Sequence, residues 1–223
     1  MKAKLAINGV LKLLSGMVCL GLLLFLPAGT WSYPGAWRLA AILFVPMTIL
    51  GISMLFFAPE LLKKRLNTNE QEPEQKKVIL MSSLVFIASF ILCGLDFRFG
   101  WTKLPMWAVY LGCAVFLLCY LGYAELMREN AYLSRTVEVQ EGQEVISTGM
   151  YGIVRHPMYS IIILMFFSMP IVLGSLVGII PLLLVPYILV KRILNEEKVL
   201  TEGLSGYAEY KEKVKYRLLP FVW

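Results

Sequence analysis

Gly149-Met150-Tyr151-Gly152-Ile153-Val154-Arg155-His156-Pro157-Met158-Tyr159 separates a polar segment from a long apolar one, and it holds the only histidine of the chain. Proline lacks a backbone N–H and its fixed φ suits a first helical turn, so Pro157 marks a helix start. It also biases His156 towards an extended backbone. Arg155 and His156 are therefore expected to be the last loop residues at a membrane surface, directly before a helix enters the bilayer.

Downstream, Met158 to Val190 is apolar throughout, too long for one crossing. Pro170 and Gly174-Ser175 divide it, which predicts two short helices in a hairpin that crosses and returns. The tail from Lys191 to Trp223 is charged and helical in pattern. Arg192 and Glu196 are four apart and share a helix face; Glu197 sits one residue round. Spacing alone fits a solvated helix with an ordinary ion pair. Position favours a site, because the returning hairpin brings this cluster back beside Arg155 and His156, where charge is costly unless paired or used. One pocket is expected to gather His156, Tyr151, Tyr159, Arg192 and Glu196, with one side open to lipid. Taken singly, the two tyrosines read more readily as interfacial belt residues.

Upstream, Glu125 to Thr148 is polar, punctuated by Gly142, and Val137-Glu138-Val139-Gln140 alternates as a short strand or extended stretch would. Four apolar runs precede it: Val10–Leu26, Leu39–Ala58, Val78–Leu95 and Pro105–Tyr123. The first needs several preceding residues to reach the roughly 20 of a full span. Its flanking Lys2, Lys4 and Lys12 imitate a signal peptide, but Pro27-Ala28-Gly29 reads as a turn, so a retained first span is expected. Pro46 should kink the second run. Residues 59–77 are polar, with an interfacial helix expected at their start. Trp31, Trp37 and Trp101 fall at interfaces.

The 223 residues are 58% hydrophobic and 16% charged, with a mean hydropathy of +0.70. Soluble domains carry about a quarter charged residues, so this is an integral membrane protein. The expected fold is all-α: a polytopic transmembrane helix bundle of about five to six membrane segments. The last two form the hairpin, and a loop and the C-terminal helical tail build a cytoplasmic pocket. One structural domain is expected, with residues 1–104 as N-terminal spans and 105–223 as the functional core. With the N-terminus inside and six crossings, eighteen Lys and Arg lie on the cytoplasmic side against Arg38, Arg98 and Lys103 outside, a strong positive-inside bias. The net charge of +6 is no nucleic-acid signal, because the basic residues form no single patch. Cys19, Cys93, Cys113 and Cys119 all lie in apolar runs without a CxxC pair or neighbouring histidine. They read as small hydrophobes, with no disulfide framework and no metal site expected. The chain has no GxGxxG, Walker loop, HExxH or GxSxG. Its spans are almost free of charge, unlike a transporter with polar groups at the midplane.

Gly149-Met150-Tyr151, Arg155-His156-Pro157-Met158-Tyr159, the apolar hairpin and Glu196-Glu197 together resemble the integral membrane methyltransferases that include isoprenylcysteine carboxyl methyltransferase and the phospholipid methyltransferases. Val137-Glu138-Val139-Gln140, Gly206-Tyr207-Ala208-Glu209-Tyr210-Lys211 and Leu219-Pro220-Phe221 add to the resemblance, which covers about residues 105 to 223. It implies S-adenosylmethionine, taken from the cytoplasm without a Rossmann fold, and a lipophilic acceptor from the bilayer. Carried over by position, Gln140, Gln143, Glu144, Val145, Ile146, Tyr151, His156, Pro157, Met158 and Tyr159 would contact the cofactor. Arg155 or His156 would take its carboxylate. Arg192 and Glu196 would face the acceptor, with Glu196 or Glu197 as the base if a proton must leave. The segment Gln143-Glu144-Val145-Ile146 departs from the commoner pattern, which has histidine near its start. Carboxyl methylation of an isoprenylcysteine-type substrate is the first expectation and amine methylation of a phospholipid the second. Sterol-type reductases, which use a nicotinamide cofactor, carry a similar Arg-His-Pro stretch; Glu196-Glu197 speaks against them. A membrane scaffold or permease is the non-enzyme alternative.

Overall fold

The computed structural model describes residues 2–223. Four helices are long and apolar enough to cross a membrane: α1 (Lys2–Ala28), α2 (Pro34–Phe57), α4 (Pro73–Phe99) and α5 (Met106–Glu129). Each starts before its apolar run or outlasts it. At 1.5 Å per residue, 24 to 27 residues exceed the ~30 Å hydrocarbon core, so the surplus turns carry Lys2, Lys4, Glu74 and Arg128 beyond it. Pro34, Pro59, Pro73 and Pro157 each open a helix, where the missing N–H costs nothing. The interfacial helix α3 (Pro59–Leu66) buries Leu61 and Leu62, and Lys12 donates from Nζ to the Leu66 carbonyl at its end.

The architecture is the expected all-helical bundle, and no strand occurs among the described residues. Val137 to Gln140 runs as loop without a ladder partner. Large apolar side chains such as Leu22, Ile49, Phe57, Leu84 and Leu118 stand exposed around the outside, a surface that suits lipid and would be a liability in water.

The hairpin is α6 (Pro157–Leu173) and α8 (Val185–Gly203). Its turn is longer than the tight one expected, because Pro170 stays inside α6 and the break falls at Gly174. Gly174 has φ +83°, a left-handed cap that glycine adopts without a Cβ penalty. Residues 175–184 then wind through the one-turn helix α7 (Ile179–Leu182). This tip is tied to α4. Ser89 Oγ donates to the Gly178 carbonyl at 2.7 Å. Asp96 accepts from Ser175 Oγ at 2.5 Å, from the Thr102 amide at 2.7 Å and from the Thr102 hydroxyl. Ser89, Cys93 and Asp96 recur at i, i+4 and i+7 on one face of α4, and a Cβ on Gly178 would collide with Cys93 Sγ.

One core cluster joins α1, α2, α5 and α6 around Leu24, Leu39, Phe116 and Val172. A second joins α4, α6, α7 and α8 around Val85, Tyr159, Leu182, Ile188 and Ile193. The short helix α9 (Tyr207–Lys213) follows Gly206, and the last ten residues turn back under the hairpin mouth.

Candidate active site

His156 occupies the cap position and Pro157 the first turn of α6, as the proline chemistry predicts. The approach to it is fixed from both sides. Gly149 opens a 3₁₀ turn to Gly152 with φ +48°, and a Cβ there would run into the Glu129 carboxylate. On the other side the returning tail pairs with the motif. The Arg155 amide donates to Tyr216 O and the His156 amide to Arg217 O, both at 2.9 Å. Ser160 Oγ donates to Leu218 O at 2.6 Å.

Beneath this lies a buried charge cluster. Glu197, 6% exposed, accepts from Arg155 Nε at 2.7 Å and from Arg217 Nε at 2.9 Å, with His156 Nε2 at 3.3 Å. Arg155 Nη1 donates to the Val214 and Lys215 carbonyls at 2.6 and 2.9 Å. Burial by itself would raise the Glu197 pKa; the hydrogen bonds from His156, Arg155 and Arg217 prevail and hold it at about 2.

Glu196, one residue earlier, points about 100° away round the helix and meets different partners. Its Oε2 accepts from the Tyr159 hydroxyl at 2.6 Å, and that hydroxyl accepts from Arg192 Nε at 2.8 Å. Arg192 Nη1 donates to Gln75 Oε1 and Nη2 to Arg135 O, both at 2.9 Å, and Gln75 Nε2 returns a bond to the Arg192 carbonyl at 3.2 Å. Gln75 is fully buried in the first turn of α4. Two of the five guanidinium N–H groups stay uncommitted among the described residues.

Two cavities meet at Glu196. The first, about 60 Å³, is lined by Gln143, Glu144, Val145, Ile146, Tyr151, Arg155, His156 and Glu196 with Asn130, Leu200, Leu204, Tyr207 and Tyr210. The second, about 100 Å³, is lined by Met158, Tyr159, Arg192, Glu196 and Gln143, with Asn130, Leu200, Tyr132, Leu133, Ser134, Thr136, Val137 and Glu138. Glu196, Asn130, Gln143 and Leu200 belong to both walls. Of the residues singled out from the sequence, Gln140, Pro157 and Glu197 line neither. Gln140 supports the loop from below, donating to Tyr132 O at 2.6 Å.

Three tyrosines dominate the first cavity. Tyr210 donates to Tyr151 O at 2.7 Å, while the buried hydroxyls of Tyr151 and Tyr207 have no hydrogen-bond partner among the described residues. Burial pushes the Tyr151 phenol up to about 12. Burial, with Glu197 and Glu196 adding to it, raises Tyr207 further. Both therefore remain neutral donors near neutral pH. Tyr207, Tyr210, Asn130 and Gln75 were not among the expected site residues; the sequence carried a signal only for the two tyrosines, in their i, i+3 spacing and in the Gly206–Lys211 stretch that adds to the resemblance.

Residues 107–205, from the start of α5 through α8, match the family model for phospholipid methyltransferases. The match agrees with the resemblance to the membrane methyltransferases and spans both cavities except for α9. No curated protein matches the chain.

Proposed function

We propose that this membrane protein is an S-adenosylmethionine-dependent methyltransferase that transfers the methyl group to a lipid-like acceptor, with the cofactor in the first cavity and the acceptor head in the second. The observation that carries the reading is the shared wall at Glu196, which brings a polar, tyrosine-lined chamber against one walled by Arg192 and Tyr159. The residues present fit the cofactor. The rings of Tyr151, Tyr207 and Tyr210 and the carboxylates of Glu144 and Glu196 suit a sulfonium cation. The orphaned hydroxyls of Tyr151 and Tyr207 are donors without an acceptor, and such groups are costly when buried. When bound, the cofactor supplies an electrophilic methyl for in-line displacement.

The chain's own contribution is orientation, the main requirement of such a displacement. Glu197 acts by position: it locks Arg155, His156 and Arg217, and through them the turn at the head of α6. Arg155 and His156 face the end of the chamber suited to the cofactor carboxylate. Arg192, held by Gln75, Arg135 and Tyr159, presents its two remaining N–H groups to an anionic acceptor, and a carboxylate needs no base at neutral pH. This favours carboxyl methylation of an isoprenylcysteine-type substrate. The family match favours a second reading, methylation of a phospholipid amine, in which Glu196 takes the departing proton. Both cavities are smaller than the ~300 Å³ of a typical ligand site, so binding displaces the 140–146 loop, which closes the first chamber. The basic excess at this end of the bundle supports a cytoplasmic orientation.

Titration calorimetry of detergent-purified protein with S-adenosylhomocysteine and NADPH, side by side, tests the cofactor. Binding of the first alone is expected. Binding of NADPH alone would replace the reading with a reductase. Transfer of a labelled methyl group to a prenylcysteine but not to an aminophospholipid then decides the acceptor, and the reverse result selects the second reading.

A further inference from the structure

At the opposite end of the bundle, a groove of about 690 Å³ lies between Trp31, Ser32, Pro34, Trp37, Arg38 and Ala41. Arg38 donates to the Val172 carbonyl near the end of α6, at 3.4 Å. The seventeen residues of α6 set this groove about 25 Å along the helix axis from His156, so it is separate from both cavities. Its aromatic wall is preformed. Trp37 Nε1 donates to Trp31 O at 2.9 Å, and Phe25 packs against both indoles with centroids 4.8 and 5.1 Å away. The indoles remain 72% and 55% exposed.

Arg38 is the anomaly. It forms no ion pair among the described residues. Among the described residues its buried Nε has no hydrogen-bond partner, and its one side-chain hydrogen bond is long. The nearby buried carboxylate, Asp96, is taken up by Ser175 and Thr102. An unpaired guanidinium at a bilayer boundary is costly, and its forked donors match a phosphate. The two tryptophans lining the same groove prefer the headgroup level.

We infer that Arg38, Ser32, Trp31 and Trp37 form a binding site for the phosphodiester headgroup of a bilayer phospholipid, on the face opposite the cofactor chamber. The guanidinium takes the phosphate oxygens, Ser32 adds a hydroxyl at the rim, and the two indoles flank the glycerol and upper acyl chains. Charge complementarity selects an anionic or zwitterionic phosphate-bearing lipid over a neutral glyceride.

Native mass spectrometry and thermal unfolding of the full chain in detergent test the site, with short-chain phosphatidylglycerol, a matched diacylglycerol and inorganic phosphate as separate additions. Wild-type protein is expected to hold one phosphatidylglycerol and to unfold at higher temperature with it, and to respond to neither control. Arg38→Met should weaken that adduct about tenfold or more, the scale of one lost charge-assisted contact. Trp31→Ala removes the wall while leaving the charge in place, and should weaken the adduct with the helical spectrum unchanged. Equal phosphatidylglycerol binding by wild type and both variants would overturn the site. An equal response to inorganic phosphate would overturn the lipid assignment, and an equal response to diacylglycerol would overturn the role of Arg38.

Discussion

Glu196 and Glu197 are adjacent in sequence and do opposite things. Glu197 is locked among three basic side chains, so its contribution is structural and its pH dependence has a definite sign. Its folded pKa is about 2 against an ordinary glutamate value of 4.5. The stabilisation is therefore fully present above about pH 4.5 and is lost as pH falls towards 2. On the linkage scale the difference amounts to about 3 kcal/mol. Thermal unfolding from pH 6 to pH 3 should show the wild-type midpoint falling more steeply than that of Glu197→Gln. Parallel curves would mean the cluster does not form. At neutral pH Glu197→Gln leaves Arg155 buried beside a neutral amide, a loss on the order of 3–5 kcal/mol. Glu196 lines both cavities, and there the expected signature is kinetic. With an amine acceptor, Glu196→Gln should keep S-adenosylhomocysteine affinity within about threefold while turnover falls about a hundredfold or more, the range of a lost acid–base group; with a carboxylate acceptor no base is lost and turnover should fall far less. Full activity in that variant would remove Glu196 from the chemistry.

At the scale of elements, helix starts and faces were legible in the sequence because they depend on neighbours. Pro157 announced the head of α6. The fourfold spacing of Arg192 and Glu196 announced their shared face, and the start of the polar 59–77 stretch announced α3. What stayed hidden depends on distant partners. Gln75 is an ordinary polar residue in a first helical turn until α8 is laid against it, 117 positions later. Tyr207 and Tyr210 could be read as a pair, but the side they face is set by Gly206 and by the returning tail. Glu197 looked like a second candidate base because nothing local says that Arg217 folds back onto it. The hidden contact at Gln75 yields its own prediction. Gln75→Met should raise the acceptor KM about tenfold, roughly one hydrogen bond to a charged group, with cofactor affinity unchanged. Gln75→Glu places a carboxylate on Arg192 and should depress an anionic acceptor more strongly still. Equal loss of cofactor and acceptor binding would show that α4 merely supports the fold.

For the molecule as a whole, the bundle has a tied end and a loose end. The hairpin tip is tethered through Ser89, Asp96, Thr102 and Ser175, while the mouth is closed chiefly by the 130–146 loop and the returning tail. Hydrogen exchange in detergent should reflect this, with amides of 170–178 exchanging slowest in the second half and those of 138–146 fastest. Addition of S-adenosylhomocysteine should slow the loop alone. Uniform exchange across both segments would argue against a closed loop over the first chamber.

The Asp96 tether has a mechanical consequence. The two hairpin helices are arranged as tweezers, with the fulcrum at Gly178 and the gripping ends latched by the Tyr159–Glu196 and Arg155–Glu197 contacts. Under the proposed function, a greasy acceptor enters by release of that latch and a spreading of the jaws rather than by passage down the axis. A small displacement near the fulcrum becomes a larger one at the jaws, so changes on the far side of the bilayer can alter which molecules the tweezers admit.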